Sequence, residues 1–251
     1  MYLRFPLLLA TLFCLSATAS QAFDVDARAN IGVFDKYLWR GIDLSDSTAV
    51  TQGAVELSAG GFTLGAWGNA QLEDDGLYDG GQVNEVDLTV DYTFNVTELA
   101  TVSVGNITYI LDDLEDTNEA YAGVTVNTLL SPTLTVYYDW DEAEENGLFY
   151  TASVSHTFDP CSYAAVNVGA LVSYNDTSDY SVYYVDATTG EEASYSDWHN
   201  YELSASVDLK VTDGLTITPS VLYSSPISDE AKLAIDSEWL AGLSLTYSLS
   251  F

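Results

Sequence analysis

The chain is poor in positive charge, in sulfur and in long apolar runs, and each scarcity removes a class of protein. Six Lys and Arg stand against 38 Asp and Glu among 251 residues, a formal net charge of −32. Phosphate would be repelled, so nucleic acid is excluded as a partner. Of the two cysteines, Cys14 falls in a leader described below. Cys161 is then alone, and without an intramolecular bridge a small disulfide-stapled fold is excluded. No apolar segment after the leader is long enough for a spanning helix. Excess acid by itself often marks disorder. Here 47% of residues are hydrophobic and 13% aromatic, and the apolar ones alternate with polar ones, so a folded structure is expected.

Residues 1–22 read as a signal peptide rather than as fold. Arg4 precedes the apolar run Phe5–Leu15, and Ser20-Gln21-Ala22 forms a small-x-small exit. Cys14 invites a lipoprotein reading, but the bulky Phe13 before it stands where processing needs a small residue. The expectation is an exported chain whose residues 23–251 form one domain.

From residue 23 onward the apolar period is two, the period of strands. Val25, Ala27, Ala29, Ile31 and Val33 share one face, and Asp24, Asp26, Arg28 and Asn30 the other. The rhythm returns in Val86, Leu88, Val90, Tyr92 and Phe94, and again in Leu243, Leu245, Tyr247, Leu249 and Phe251. Twelve strands are predicted, over 24–37, 52–59, 62–71, 83–95, 99–111, 119–128, 133–140, 148–158, 163–174, 198–211, 214–224 and 239–251. Two are irregular. In the fifth, Val102 and Val104 take one parity and Ile107, Tyr109 and Leu111 the other, which a bulge would reconcile. The eleventh contains Pro219, which cannot donate to a ladder.

Every second connection is short: Gly60-Gly61, Asn95–Glu98, Leu129–Pro132, Asp159–Ser162 and Thr212–Gly214. Those between them are long and acidic. This asymmetry predicts an all-β, up-and-down transmembrane barrel of about twelve antiparallel strands in a bacterial outer membrane, long loops outside and both termini periplasmic. A soluble β-sandwich would also alternate. Aromatic placement favours the barrel: Tyr109, Tyr121, Tyr138, Trp140, Tyr150, Tyr174, Tyr201, Tyr223 and Trp239 lie beside the long loops, and Phe94, Phe158 and Phe251 at the opposite ends. Two such belts suit two membrane interfaces. The ending Tyr247–Phe251 resembles the signal by which barrel-assembly machinery recognises outer-membrane strands.

The segment Tyr37-Leu38-Trp39-Arg40-Gly41-Ile42-Asp43-Leu44-Ser45-Asp46, followed by Thr51-Gln52-Gly53 and Gly65-Ala66-Trp67-Gly68, resembles the proteobacterial TorF-type porin family. The resemblance is tight over roughly residues 30–70 and is carried further only by length, strand rhythm and the final aromatic. It implies a barrel with a channel role and brings no established substrate; the strong acidity departs from it. Within the motif, Tyr37, Arg40, Gly41, Ser45 and Asp46 are the candidate residues. Arg40 has two readings: a constriction residue folded into the pore, or a loop clamp in which guanidinium grips carboxylate. The clamp is preferred.

With the parities above, Arg28, Glu56, Glu85, Asp87, Asp91, Asp139, Glu202 and Asp208 face inward as pore-lining residues, with Trp67, Tyr137 and Phe149 narrowing the bore. The basic groups at hand, Arg28, Lys36 and Arg40, cannot neutralise these acids, so cations should be preferred. Asp112, Asp113, Glu115 and Asp116 offer hard oxygen ligands for a divalent ion but do not match the calcium-loop pattern; a solvated acidic loop is the simpler reading. His156 and His199 are predicted to point outward, with no serine on a shared face, so catalysis is not expected. Cys161, in a tight turn beside Pro160, reads most simply as a tolerated surface residue. No motif asks for a cofactor.

Two functions follow as expectations. One is passive diffusion of small hydrophilic solutes, cations first, through a barrel bathed in outer-membrane lipid and lipopolysaccharide. The other is a non-conducting surface barrel whose acidic loops bind divalent cations, lipopolysaccharide or a partner. The leader has its own test: mass spectrometry of the exported chain should find Phe23 first, and retention of residues 1–22 would refute the cleavage site.

Overall fold

The computed structural model describes residues 24–74, 76–143, 147–178, 182–186 and 189–251. The expected signal peptide, with Cys14, lies outside the described residues. Twelve antiparallel strands close into a barrel: β1 (Val25–Phe34), β2 (Val50–Ala59), β3 (Phe62–Gln71), β4 (Val83–Thr97), β5 (Ala100–Leu111), β6 (Thr117–Val126), β7 (Thr133–Asp139), β8 (Leu148–Cys161), β9 (Ala164–Asp176), β10 (Ser196–Lys210), β11 (Leu215–Pro226) and β12 (Glu238–Ser250). Each pairs with its neighbours in sequence, and β1 pairs with β12 from Asp26↔Ser250 to Phe34↔Gly242. The Val25 and Phe251 amides and carbonyls bond reciprocally, so both strand ends lie at the rim of the short turns.

Alternation fixes which face is which. Ile31, Val55, Leu57, Leu64, Val90 and Leu243 are all more than half exposed on the outer wall, an apolar patch far beyond what a water-soluble surface carries and the pattern of a lipid-facing band. Aromatic rings edge it at both ends. Near the long loops Tyr150, Tyr174 and Trp198 meet edge-on, as do Tyr201 and Tyr223, with Trp239 packed against Tyr223; at the other rim Phe62, Tyr92 and Phe94 form a row.

Four sequence expectations are corrected. First, β5 runs without a bulge where one was expected. It stays in unbroken register with β6, and with β4 from Leu111 to Thr101, so Ile107, Tyr109 and Leu111 face inward while Asn106 and Thr108 sit on the outer wall. There the two polar side chains bond to Asn118, and the Trp140 indole donates to Asn106, which satisfies them locally. Second, Tyr109 and Tyr121 are inward and not part of the aromatic belt: their hydroxyls donate to Glu119 and Asp91. Third, His199 points inward. Between Val172↔Tyr201 and Tyr174↔Trp198 one extra residue enters β10, and this bulge turns His199 and Asn200 to the interior together. Fourth, β8 runs on through Pro160 to Cys161 across a register shift, leaving a turn of only Ser162 and Tyr163. Pro219 behaves as its chemistry requires: pairing of β10 with β11 lapses between Ser206↔Ser220 and Leu209↔Ile217. The Thr218 hydroxyl donates to Asp208 at 2.7 Å across the gap.

The Gly60-Gly61 turn between β2 and β3 has φ of 59° and 90°, the positive pair that a two-residue hairpin uses. A Cβ at Gly61 would stand 2.6 Å from the Thr93 carbonyl oxygen. Gly61→Val should therefore lower barrel stability by about 1–3 kcal/mol in urea unfolding and reduce the compact form on unheated gels. Gly53→Ala, with only an ordinary 3.5 Å contact, should stay within about 0.5 kcal/mol. Equal stabilities would refute the assignment of that turn.

Candidate functional site: a loop hairpin across the barrel mouth

The sequence motif folds as one unit within the connection between β1 and β2. Leu38-Trp39 and Ile42-Asp43 pair as a miniature hairpin. Its tip is Arg40-Gly41, with φ of 49° and 81°, a two-residue turn with both centres left-handed. The base is tied by Leu44 N to Tyr37 O at 2.8 Å and by Tyr37 N to Ser45 Oγ at 2.8 Å. A second turn follows at Asp46-Ser47, φ 47° and 59°, closed by Thr48 N to Ser45 O. The five candidate motif residues thus have distinct places: Tyr37 and Ser45 at the base, Arg40 and Gly41 at the tip, Asp46 in the return.

Lys36 anchors the base. Its ammonium lies 2.5 Å from Glu238 and 3.4 Å from Asp43. Burial opposes its charge, yet hydrogen bonding and attraction from Glu238 and Asp43 outweigh this and raise its pKa above the ordinary lysine value. Burial likewise opposes ionisation of Asp43, but bonds from Ser45 and Ser47 and the Lys36 charge hold its carboxyl below the ordinary value.

From this anchor the hairpin crosses the mouth. In the closed order β7 stands opposite β1, and the Arg40 side chain reaches β6, β7 and β8. Its Nη2 donates to both Glu119 oxygens at 2.8 and 2.7 Å. The guanidinium carbon sits 4.3 Å from the Trp39 ring centre, 4.3 Å from Phe149 and 5.2 Å from Tyr137, within range of cation–π attraction. Glu119, 2% exposed, also accepts from Tyr109 Oη at 2.8 Å. Behind the tip, His199 Nε2 donates to the Arg40 carbonyl at 2.6 Å. A carbonyl only accepts, so Nε2 carries the proton and Nδ1 accepts from the Tyr195 hydroxyl at 2.5 Å. Gly41 leaves no room for a side chain: a Cβ there would be 2.8 Å from Ile235 and 3.0 Å from Asn200 and Ser224.

Other loops close over the same place. Phe149, Val182, Tyr195 and Ala231 form an apolar core, with Ile42, Tyr137, Tyr184 and Ala234 packed against it. It joins the hairpin to the connection after β9, where Tyr184-Val185 pairs with Glu192-Ala193, and to the connection after β11, with its short helix Ala231–Ala234.

The register puts all eight expected lumen residues on the inward face, in different settings. Arg28 and Glu56 face each other at 3.7 Å, about half exposed, towards the short-turn end. Asp91 accepts from Tyr121 and Thr93, and Asp208 from Asn167 and Thr218. Glu202 accepts from Asn200 at 3.0 Å. Glu85 and Asp87 lie near Tyr37 and Trp67 below the hairpin, and Asp87 Oδ1 is buried without a hydrogen-bond partner. Asp139, 3% exposed, accepts from Thr117 and from the Asp141 and Glu142 amides, and so shapes a loop base. Asp112 and Asp116 accept from Gln82 and the Leu111 amide, and Asp113 takes a positive φ. Among the described residues no three His, Cys, Asp or Glu are grouped to hold a metal ion, Glu115 included. His156 donates from Nδ1 to the Leu129 carbonyl on the outer wall.

Glu119, Trp39, Tyr109 and His199 were missed by sequence reasoning. Glu119 carried a usable signal, since its parity is opposite to that of the apolar Ala120, Ala122 and Val124 on the same strand.

These features define a closed, acid-lined, membrane-spanning antiparallel β-barrel of twelve strands, its mouth crossed by an inserted hairpin. The chain belongs to the family described as "Bacterial protein of unknown function (Gcw_chp)", whose model matches residues 16–200. No curated protein matches it. Among solved structures it is similar to the NanC porin, at 14% identity over 91% of this chain and 100% of that one, TM-score 0.56. It is also similar to the KdgM porin in complex with disordered oligogalacturonate, at 11% identity, 90% and 99% coverage, TM-score 0.53. A third is the COG4313 outer membrane channel from Pseudomonas putida F1, at 9% identity, 90% and 95% coverage, TM-score 0.50. At such identities the likeness shows a shared fold.

Two outcomes are expected at this site. Arg40→Ala leaves Glu119 buried and unpaired, a loss of about 3–5 kcal/mol in such pairs, so the hairpin should become protease-sensitive while the barrel stays folded; unchanged cleavage would refute the clamp. The pH response has a defined sign. Asp43, with its lowered pKa, stabilises docking above its unfolded value of about 3.9, and this is lost as pH falls through the lower folded value. Lys36 contributes below about pH 10.4, and this is lost as pH rises through its raised value. Protection of the Ser45 and Ser47 amides against hydrogen exchange should therefore persist across the neutral range and fail at both extremes; failure near pH 6 would contradict it.

Proposed function

We propose that this chain is an outer-membrane channel of the TorF type for small hydrophilic solutes, passing cations ahead of anions. The observation that carries the reading is the inward face. Glu56, Glu85, Asp87, Asp91, Glu119, Glu202 and Asp208 line it against Arg28, Arg40 and Lys210, with Arg28 paired to Glu56 and Arg40 already spent on Glu119. An uncompensated acidic wall raises the local cation concentration. The mouth is narrow because the hairpin spans it, so unit conductance should be small. One structural neighbour was solved with oligogalacturonate, a polyanion; the acidic wall here disfavours that solute class. In this reading the long loops face outward among lipopolysaccharide, the short turns and both termini face the periplasm, and the exposed terminal Phe251 presents β12 to the assembly machinery.

The packing of Phe149, Val182, Tyr195 and Ala231 across the mouth favours a second reading, a barrel that does not conduct and acts through its loops. Planar-bilayer recording separates the two. Small steady conductance with a cation-selective reversal potential across a KCl gradient is expected, and Glu56→Gln with Asp91→Asn should shift that potential towards zero. A silent barrel, or anion preference, would overturn the channel reading.

A further inference from the structure

The contacts around Arg40 look like those of a bound ligand more than those of a structural ion pair. A guanidinium lies between aromatic rings from the β7 and β8 wall, Tyr137 and Phe149, and rests on a carboxylate, Glu119, that Tyr109 holds in place. The wall alone supplies the flat faces and the acid that a planar cation needs. The tether supplies the cation, and the fit is imperfect. Only Nη2 engages the carboxylate. Nη1 is buried and has no hydrogen-bond partner, on a side chain only 9% exposed. Arg40 also adopts a left-handed φ of 49°, which costs a side chain that glycine or asparagine would spare. An occupant held with an orphaned donor and a strained backbone is one that a better-fitting free cation can displace.

We propose that the pocket formed by Glu119, Tyr109, Tyr137 and Phe149 is a binding site for guanidinium-bearing organic cations, with Arg40 as its intramolecular occupant. The inference rests on the channel reading for its purpose, since a site in the mouth of a cation-preferring pore selects what enters. Entry of such a solute exchanges one guanidinium for another on Glu119. The displaced Arg40 then leaves with the hairpin tip, so binding of the solute and opening of the mouth are one event. Bulk acidity gives no such preference. Planarity and a carboxylate fixed between rings do, and they distinguish guanidinium from ammonium groups.

The test uses argininamide, with lysinamide as the ammonium control, titrated by calorimetry into the refolded full barrel in detergent. Arg40→Asn is the informative variant: Asn-Gly is a preferred pair for this turn, so the chain should fold while the tethered guanidinium is gone. It should bind argininamide saturably and at least tenfold more tightly than the wild type, with lysinamide weaker. Adding Glu119→Gln should abolish the saturable heat. Folded Arg40→Asn barrel without saturable binding, or binding indifferent to Glu119→Gln, would overturn the proposal. Bilayer recording on the same preparations keeps the two readings apart. Conductance without binding leaves the channel and removes this site; binding without conductance supports the site and removes the channel.

Discussion

Closure of the hydrogen-bond ladder is the constraint from which the rest of the molecule follows. In hydrocarbon an unpaired backbone amide costs several kcal/mol, so a sheet can cross only if it has no edges. Here β1 meets β12 through nine consecutive residue pairs, and the last bonds join Val25 to Phe251. Once closed, a period-two sequence has no freedom left: each strand presents one parity to the outside and the other to the lumen. Apolar residues such as Leu57, Leu64 and Val90 stay exposed on the outside, while Glu56, Asp87 and Asp91 crowd a narrow interior. The acidity of the lumen is thus a consequence of register as much as of composition.

A closed bore lined by acids is also where a positive hairpin tip is held most strongly. Lys36 fixes the base at Glu238 on β12, and Arg40 fixes the tip at Glu119 on β6, roughly half the circumference away. Two cations, one against the half-buried carboxylate of Glu238 and one against the buried carboxylate of Glu119, hold a loop that would otherwise be a flexible excursion. Gly41 permits the tip to approach Asn200 and Ser224, and the bulge at His199-Asn200 brings an imidazole to the Arg40 carbonyl. The motif at residues 37–46 is therefore a structural unit whose partners lie on strands far away in sequence.

That separation explains what was legible beforehand and what was not. Strand number, strand parity and the placement of short and long connections follow from alternation and turn residues, which are local, and the twelve strands appear within a few residues of their expected limits. Deviations from perfect alternation were less readable. The opposed parities in β5 suggested a bulge, whereas the strand stays regular because Asn106 and Thr108 find a hydrogen-bonding partner in Asn118 on the outer wall. The parity of His199 suggested an outward ring, whereas an extra residue in β10 reverses it. A bulge and a polar residue on the outer wall leave the same trace in a sequence, and only the neighbouring strand distinguishes them.

The two readings offered for Arg40, constriction and clamp, describe one arrangement. A guanidinium can narrow the mouth only if something holds it there, and what holds it is the carboxylate it neutralises. By covering Glu119 the hairpin matches one carboxylate at the mouth of the bore with a guanidinium, while the carboxyl groups below it, Glu85, Asp87 and Asp91, have no Lys or Arg ion-paired with them among the described residues. Withdrawing the hairpin would both widen the passage and leave that carboxylate unmatched. The width of the mouth and the charge balance at Glu119 both depend on a single side chain, so neither can be changed at Arg40 without the other.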